Sequence, residues 1–161
     1  MPFWGNCVVV EEKFWQGRSL STLKRELAPE QWESLCDGCA RCCLHKIQDD
    51  ETGEILLTCV GCRLLDLHTC RCSDYANRLA RVPGCALIDP EDDELMAALP
   101  SSCAYRRLYV GLPLPDWHPL LTGDPESVHQ AGMSVYGRAI SEDDLDRSGL
   151  GRLEDFLLDE S

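Results

Sequence analysis

The chain has 161 residues, with 28 acidic against 15 basic side chains, a net charge of -13 and 11 cysteines. This length accommodates one domain, and no run of eighteen apolar residues is present, so the sequence predicts no membrane-spanning helix. A chain this acidic repels phosphate backbones. We therefore expect no nucleic acid partner, and the composition indicates no particular protein partner.

The first residues lack the features of a secretion signal. No basic segment is present, and the apolar run 8–10 ends at Glu11. We expect a cytoplasmic protein, in which reducing thiol pools disfavour disulfides and closely spaced cysteines bind metal or carry out redox chemistry. We expect residues 1–13, including Cys7 as a free thiol, to be a peripheral extension. Residues 14–140 would form the cysteine-cluster domain, and 141–161 an acidic, peripheral tail.

Charge is unevenly distributed along the chain. Residues 89–94 carry five acids and no base, and residues 141–161 carry eight acids and two arginines. Basic residues instead lie among the cysteines. This pattern is typical either of a solvated face or, as we slightly favour, of cations that offset thiolate charge around a metal. The residues are Arg41, Lys46, Arg63, Arg71, Arg78 and Arg81.

The N-terminal half is predicted to contain two short helices and a hairpin. Residues 21–27 favour a helix, and Pro29 is well suited to begin a second helix that runs to Cys36. Continued helical geometry would align Cys36, Cys39 and Cys43 on one stripe. Apolar runs 44–47 and 55–59 then flank the turn-rich residues 48–54, which predicts a hairpin that returns the chain to the first cysteines.

The C-terminal half is predicted to be mainly helical. Capping residues and prolines indicate helices within 73–81, 89–100, 101–111 and 124–131, followed by a strand over 133–140 and a helical turn at 153–158. Together these elements predict an α+β fold. It would be a small irregular domain of short helices and one β-hairpin, organised around the cysteines.

Ten of the cysteines lie between Cys36 and Cys103, several of them two or three positions apart. Such pairs bind one ion at little entropic cost, because the intervening turn is short. Ten sulfurs would serve two four-coordinate sites with two to spare, or a sulfur-bridged dinuclear site with fewer. The spacing predicts metal binding and leaves the grouping of the sulfurs open.

The identity of the metal is also open, since tetrahedral thiolate sites suit zinc and iron–sulfur clusters alike. Cys36-x2-Cys39-x2-Cys42 matches the opening of a bacterial ferredoxin motif, but Cys43 follows at once instead of after three residues. His45 and His68 are alternative nitrogen ligands or surface residues. Cys59 is a ligand or a small buried hydrophobe, and His118 is interpreted as part of a stapled loop.

Several longer stretches resemble a known family. They are Trp32 to Cys39 with Cys42-Cys43-Leu44, Cys62 to Leu65, Thr69 to Tyr75, Val82 to Cys85, Cys103 to Arg106 and Trp117 to Leu120. The chain is similar over residues 14–137 to the bacterial YcgN-type proteins, related to YkgJ, a cysteine-cluster family considered to chelate zinc or iron. With the spacing, the resemblance implies nine metal ligands: Cys36, Cys39, Cys42, Cys43, Cys62, Cys70, Cys72, Cys85 and Cys103.

These observations favour a binding module for zinc or iron, in which the ion is structural, stored or passed on. The alternatives are an iron–sulfur or thiol redox protein, a metal-dependent enzyme or accessory domain, and an adaptor that binds partners through the acidic tail. No nucleotide-binding loop or Ser/His/Asp arrangement is recognised in the sequence, so no catalytic residue is assigned.

Overall fold

A computed structural model describes residues 13–158 of the chain. The lead-in that contains Cys7 lies outside the described residues, apart from Lys13. The fold is α+β, as predicted, with short helices and two small sheets. In chain order the elements are α1 (Leu20–Glu26), α2 (Pro29–Ser34), β1 (Leu44–Gln48), β2 (Ile55–Gly61), β3 (Leu65–Asp66), β4 (Arg71–Cys72), α3 (Arg78–Arg81), α4 (Asp93–Ala98), α5 (Ala104–Tyr109), α6 (Pro119–Thr122), α7 (Ser127–Gln130), β5 (Ile140–Ser141) and α8 (Glu142–Ser148).

The predicted helices form, and several are shorter than expected. Ser19 caps α1 by accepting a hydrogen bond from the Thr22 amide, and Pro29 is the first residue of α2. Asp92, inside the acidic run, caps α4 in the same way through the Leu95 amide. The helix predicted over 73–81 is a 3₁₀ turn at Tyr75–Asn77 followed by the single turn of α3.

The hairpin is confirmed. β1 and β2 pair antiparallel, with Lys46 opposite Leu57, and the Asp49 side chain accepts the amides of Glu51 and Thr52 to close the turn. β5 pairs parallel to the end of β2, so the sheet order is β1-β2-β5. The strand predicted over 133–140 is wrong in extent, because only Ile140–Ser141 form a strand.

The C-terminal residues pack against this sheet. Leu145 of α8 is buried, and Leu157 forms an isolated bridge with Thr58 of β2. The turn predicted near 153–158 is a 3₁₀ turn at Leu153–Phe156. The predicted domain boundary at residue 140, between the cysteine-cluster domain and the acidic tail, stays a prediction.

Two apolar clusters flank the cysteine-rich loop between α2 and β1. The larger joins α1, α2, α4 and α5 through side chains such as Leu23, Trp32 and Tyr105. The smaller joins Leu44 and Leu65 to Val135. Among the helices of residues 13–158, none has the length and apolar character needed to cross a bilayer.

Candidate metal centre

The first cysteines lie on a looped segment and not on a helix. Helix α2 ends at Ser34, two residues before Cys36, and Gly38 and Ala40 both adopt left-handed backbone conformations, with φ of 80° and 61°. The predicted helical stripe is therefore wrong, since a right-handed helix cannot continue through such residues. A 3₁₀ turn at Arg41–Cys43 then ends the loop. Burial and the Asp37 carboxylate raise the pKa of Cys39 most, and thiolates at Cys42 and Cys36 raise it further, so these three cysteines of the loop lie near one another.

Asp37 is buried at the centre of this loop and is 5% exposed. Its Oδ1 accepts a hydrogen bond from the Cys39 amide at 3.0 Å, and its Oδ2 accepts one from the Trp117 indole Nε1 at 3.0 Å. A buried carboxylate needs such donors to offset the loss of water. The first bond closes the Cys36–Cys39 loop on itself, and the second ties this loop to residue 117, eighty positions away.

His118, the residue after Trp117, also holds the cysteine loop in place. Its Nε2 donates to the Leu35 carbonyl at 2.8 Å, and its Nδ1 accepts from the Leu120 amide at 3.0 Å, so these partners assign the Nε2–H tautomer. The side chain is fully buried, and burial lowers the pKa of the imidazole. The interpretation of His118 as part of a stapled loop is confirmed.

Residues 133–135 anchor the opposite side of the loop. The Val135 amide donates to the Cys39 carbonyl at 3.0 Å, and the buried Arg41 donates through Nε to the Met133 carbonyl at 2.8 Å. This segment therefore uses its backbone to hold the cysteine loop, although its sequence predicts a strand.

Cys103 joins the loop from helix α5, where it is the N-cap. The Tyr105 hydroxyl donates to the Trp32 carbonyl at 2.8 Å, and the two rings lie 5.0 Å apart, which packs the start of α5 against α2. Thiolates at Cys42 and Cys103 both raise the pKa of Cys36, after the larger effect of burial. We name Cys36, Cys39, Cys42 and Cys103 the first thiol group.

The surroundings of the first thiol group favour protonated thiols in the metal-free protein. Burial raises the pKa of Cys36 to about 12 and that of Cys103 to about 11. The Cys36 residue is nevertheless exposed. Thiolates at Cys42 and Cys103 also disfavour a negative charge on Cys36, which adds to the effect of burial.

Four further cysteines gather beside the sheet. The Cys62 amide donates to the Cys43 carbonyl at 2.9 Å, and Leu65, three residues after Cys62, pairs with Cys72 across β3 and β4. Thiolates at Cys62, Cys42 and Cys72 raise the pKa of Cys85, and thiolates at Cys42, Cys62 and Cys85 raise that of Cys43. Burial is the largest cause for Cys85, and the hydrogen bond to Cys42 is the largest for Cys43. We name Cys43, Cys62, Cys72 and Cys85 the second thiol group.

Side chains on neighbouring elements support the second thiol group. The Arg63 guanidinium donates to the Arg81 carbonyl, which brings the segment before Cys85 towards Cys62. Glu142 Oε1 accepts from the Arg63 amide at 2.7 Å, and its Oε2 lies 2.6 Å from His45 Nε2. Helix α8, from the acidic tail, thus contacts the residue that follows Cys62.

Cys42 and Cys43 connect the two groups. The Cys43 thiol donates a hydrogen bond to the Cys42 sulfur, which together with the nearby Lys46 lowers the pKa of Cys42 to about 7. Lys46 Nζ also donates to the Cys42 carbonyl at 3.2 Å. Arg78 acts on Cys85 in the same direction, lowering its pKa against the larger effect of burial. These two cations agree with the interpretation that basic residues offset thiolate charge.

The structure separates two other cysteines from these groups. Cys70 is buried in the smaller apolar cluster, and its thiol is hydrogen bonded with Ser134. Cys59 lies half-buried within β2. Of the nine cysteines predicted as ligands, eight therefore fall into the two thiol groups, and Cys70 does not.

The two predicted histidine candidates lie in an ion pair and in an exposed turn. His45 pairs with Glu142, as described above. His68 is exposed in a turn whose amides are accepted by Asp66. A ligand role for either imidazole stays a prediction.

The chemistry of the donors fits zinc or iron. All ten cysteines within residues 13–158 are free thiols, so the sulfurs remain available as ligands. In the same residues no group of three or more Cys, His, Asp or Glu side chains is already disposed to hold an ion. Binding therefore requires the thiols to turn towards a common point, which rotation about the Cα–Cβ bond permits.

The sequence analysis missed the supporting residues. Asp37 lies between two cysteines and Trp117 lies in a recognised stretch, but nothing in the sequence pairs them. Glu142 is one acid among many in the tail. Only their positions beside the cysteine loop and Cys62 distinguish these residues.

Comparison with known proteins assigns the family. A family profile described as "CxxCxxCC: Putative zinc- or iron-chelating domain" matches residues 35–104. A UPF0260 protein from Parvibaculum lavamentivorans is 52% identical over 144 residues, covering 89% of this chain and 92% of that relative. The chain belongs to the UPF0260 family.

Other members of the UPF0260 family match over similar lengths. The protein from Rhizorhabdus wittichii is 50% identical over 149 residues, covering 92% of this chain and 96% of the relative. The protein from Granulibacter bethesdensis is 52% identical over 145 residues, covering 90% and 82%. No solved structure matches the chain.

Proposed function

We propose that this UPF0260 protein is a metal-binding module in which the two thiol groups hold zinc or iron. The observation that supports the proposal is that the ten cysteines within residues 13–158 are free thiols, eight of which lie close enough to others to affect their pKa values. The zinc- or iron-chelating description of the matching profile supports the same chemistry.

Electrostatic repulsion between the thiolates explains why they would bind a cation. Burial raises the pKa of Cys36 and Cys85 most, and repulsion between neighbouring thiolates adds to this effect. A divalent cation reverses this repulsion and displaces the thiol protons as it binds. Its affinity should therefore increase with pH until the thiols have lost their protons.

The ion would also stabilise the fold. The segments that carry the thiols contain only short helices and strands, and they are joined by single hydrogen bonds such as that from the Trp117 indole to Asp37. In small zinc domains the apparent binding energy reaches about 10 kcal/mol or more, and it is part of the folding energy. We propose that removing the metal loosens the whole cysteine region.

The wider role follows from the same chemistry. We propose a cytoplasmic protein of the YcgN type whose ion is structural, stored or passed on, with no nucleic acid partner. Reduced thiols of this kind persist in the cytoplasm, whereas oxidising compartments favour disulfides. The acidity of the chain, with a net charge of -13, opposes binding to phosphate backbones.

The hydrogen-bonded pair of Cys42 and Cys43 favours a second candidate, an iron–sulfur or thiol redox protein. A thiolate with a pKa near 7 beside a second thiol is suited to oxidation as well as to metal binding. The two candidates differ in colour, because an iron–sulfur cluster absorbs visible light and zinc does not.

Elemental analysis of protein purified without air tests the proposal. We expect bound zinc or iron, and replacement of Cys39 and Cys43 together by serine should lower the metal content and the solubility. Cys70→Ser is the matched control and should retain the metal. A wild-type protein free of metal, or a double variant with normal metal content, would contradict the proposal. Visible absorption that bleaches on reduction would favour the redox candidate.

A further inference from the structure

We propose that the exposed segment around α3 is a docking surface for an acidic face of another protein. No residue from 71 to 87 is buried, and nowhere else within residues 13–158 is there so long a run without a buried side chain. The segment nevertheless carries large apolar side chains and arginines. Such a combination is typical of a surface that a partner covers.

Two large apolar side chains lie exposed at the middle of this segment. Tyr75 is 48% exposed and Leu79 is 44% exposed, and neither the 3₁₀ turn at Tyr75–Asn77 nor helix α3 contains a buried residue. A surface helix of a globular domain normally buries an apolar stripe. The residues of α3 instead contribute no side chain to either apolar cluster.

Three arginine side chains lie beside these apolar residues. The Arg78 guanidinium lies over the Tyr75 ring, with its Cζ atom 3.7 Å from the ring centroid. Arg81 Nη1 lies 3.1 Å from Asp74 Oδ2, and Arg63 donates to the Arg81 carbonyl. Together these residues form one surface, which we name the basic face: Arg63, Tyr75, Arg78, Leu79 and Arg81.

The basic face is positive on a chain that is acidic as a whole. Residues 71–87 carry three arginines and one aspartate, whereas the net charge of the chain is -13. Within residues 13–158, neither Arg63 nor Arg78 forms an ion pair with a carboxylate. Their guanidinium charges are therefore open to the carboxylates of a partner, which would steer its approach.

The chemistry of the basic face fits a different protein better than a second copy or a nucleic acid. Tyrosine and arginine are enriched at the centres of protein interfaces. A two-fold dimer through this face would place arginines against arginines, which repel one another. Nucleic acid is opposed by the overall negative charge. A protein with carboxylates around an apolar centre is the partner that complements the face.

Metal binding does not explain the exposure of the basic face. Under the proposed function the ions bind cysteines, and the face contains none, although Cys72 and Cys85 lie on either side of α3 in the sequence. A single ion is also too small to cover both Tyr75 and Leu79. Partner binding and metal binding can therefore be tested separately.

Photo-crosslinking in the native host tests the proposal. The full chain carries benzoylphenylalanine in place of Leu79 or, as the control, in place of Leu150, which lies in the acidic tail and is 74% exposed. We expect another protein, identified by mass spectrometry, to be linked at position 79 and not at position 150. Reversing the charge by Arg78→Glu with Arg81→Glu should lower the yield by about tenfold or more, because like charges would then face each other.

A charge swap establishes that the partner is recognised by its acids. Replacing the carboxylates next to the crosslinked site of the partner by lysine should lower the yield with the wild-type arginines and restore it with the charge-reversed variant. A yield at position 79 no higher than at position 150, a yield unaffected by charge reversal, a product that contains two copies of this chain, or a nuclease-sensitive product would each overturn the proposal.

Leu79→Ser separates this proposal from the proposed function. In purified protein this variant should retain the metal content and the circular dichroism spectrum of the wild type. In the host it should no longer compete with the crosslinking chain for the partner, whereas the wild type should. Competition by Leu79→Ser equal to that of the wild type would contradict the docking surface and leave metal binding intact. A wild-type protein without metal would contradict the proposed function and leave the docking surface intact.

Discussion

Replacing His118 tests how the cysteine loop is held in place. The fully buried imidazole donates to the Leu35 carbonyl and accepts from the Leu120 amide. His118→Ala leaves both backbone groups without their partner and opens a cavity of about one ring. A buried polar group that loses its partner costs about 1–3 kcal/mol, and truncating a buried aromatic ring costs about 3–5 kcal/mol.

These costs overlap, so we expect His118→Ala to lower the free energy of unfolding by about 3–5 kcal/mol. A loss of this size is a large fraction of the about 5–15 kcal/mol of a typical domain. At about 2–4 °C per kcal/mol for a chain of this length, the melting temperature should fall by about 6–20 °C.

The measurement is thermal and urea unfolding followed by tryptophan fluorescence. Free zinc must be held constant, because a bound ion adds to the apparent stability. His118→Asn is the matched control, since its amide retains a short acceptor near the Leu120 amide and should lose less than the alanine variant. If His118→Ala unfolded within about 1 kcal/mol of the wild type, the assignment of His118 as a structural clamp would be refuted.

Three further outcomes are expected. Burial lowers the pKa of His118 in the folded protein. Its contribution to the free energy of unfolding is therefore complete above about pH 6.5, the unfolded value, and is lost as the pH falls towards the folded pKa. In urea titrations, the difference in stability between wild type and His118→Asn should narrow on acidification. Trp117→Phe removes the indole donor to Asp37 and should cost about 1.5–3 kcal/mol, and a double-mutant cycle with Asp37→Asn should give a coupling energy of at least about 0.5 kcal/mol. Glu142→Ala removes the acceptor of the Arg63 amide and should lower the free energy of unfolding by about 1–2 kcal/mol in the same assay. Glu154 is exposed, and Glu154→Ala should leave the free energy of unfolding almost unchanged.

Local sequence signals predicted the elements well where a few adjacent residues decide them. Pro29 begins α2, and the turn residues after β1 close the hairpin. These features depend on φ restriction and on short hydrogen bonds, which are properties of neighbouring residues. The same signals failed at residues 36–43, where Gly38 and Ala40 take left-handed conformations. Hydrogen bonds from the distant residues Trp117 and Val135 hold this loop at Asp37 and Cys39.

By itself, the sequence determined that the cysteines are suited to metal, because pairs two or three positions apart close a chelate ring at little entropic cost. Only the tertiary structure decided which of the cysteine-bearing segments lie beside one another. It brought Cys103 to the first loop through the packing of Tyr105 on Trp32, and it placed Cys70 in an apolar cluster. The physical reason is that contacts between distant residues depend on the packing of whole elements, which the spacing of residues along the chain does not record.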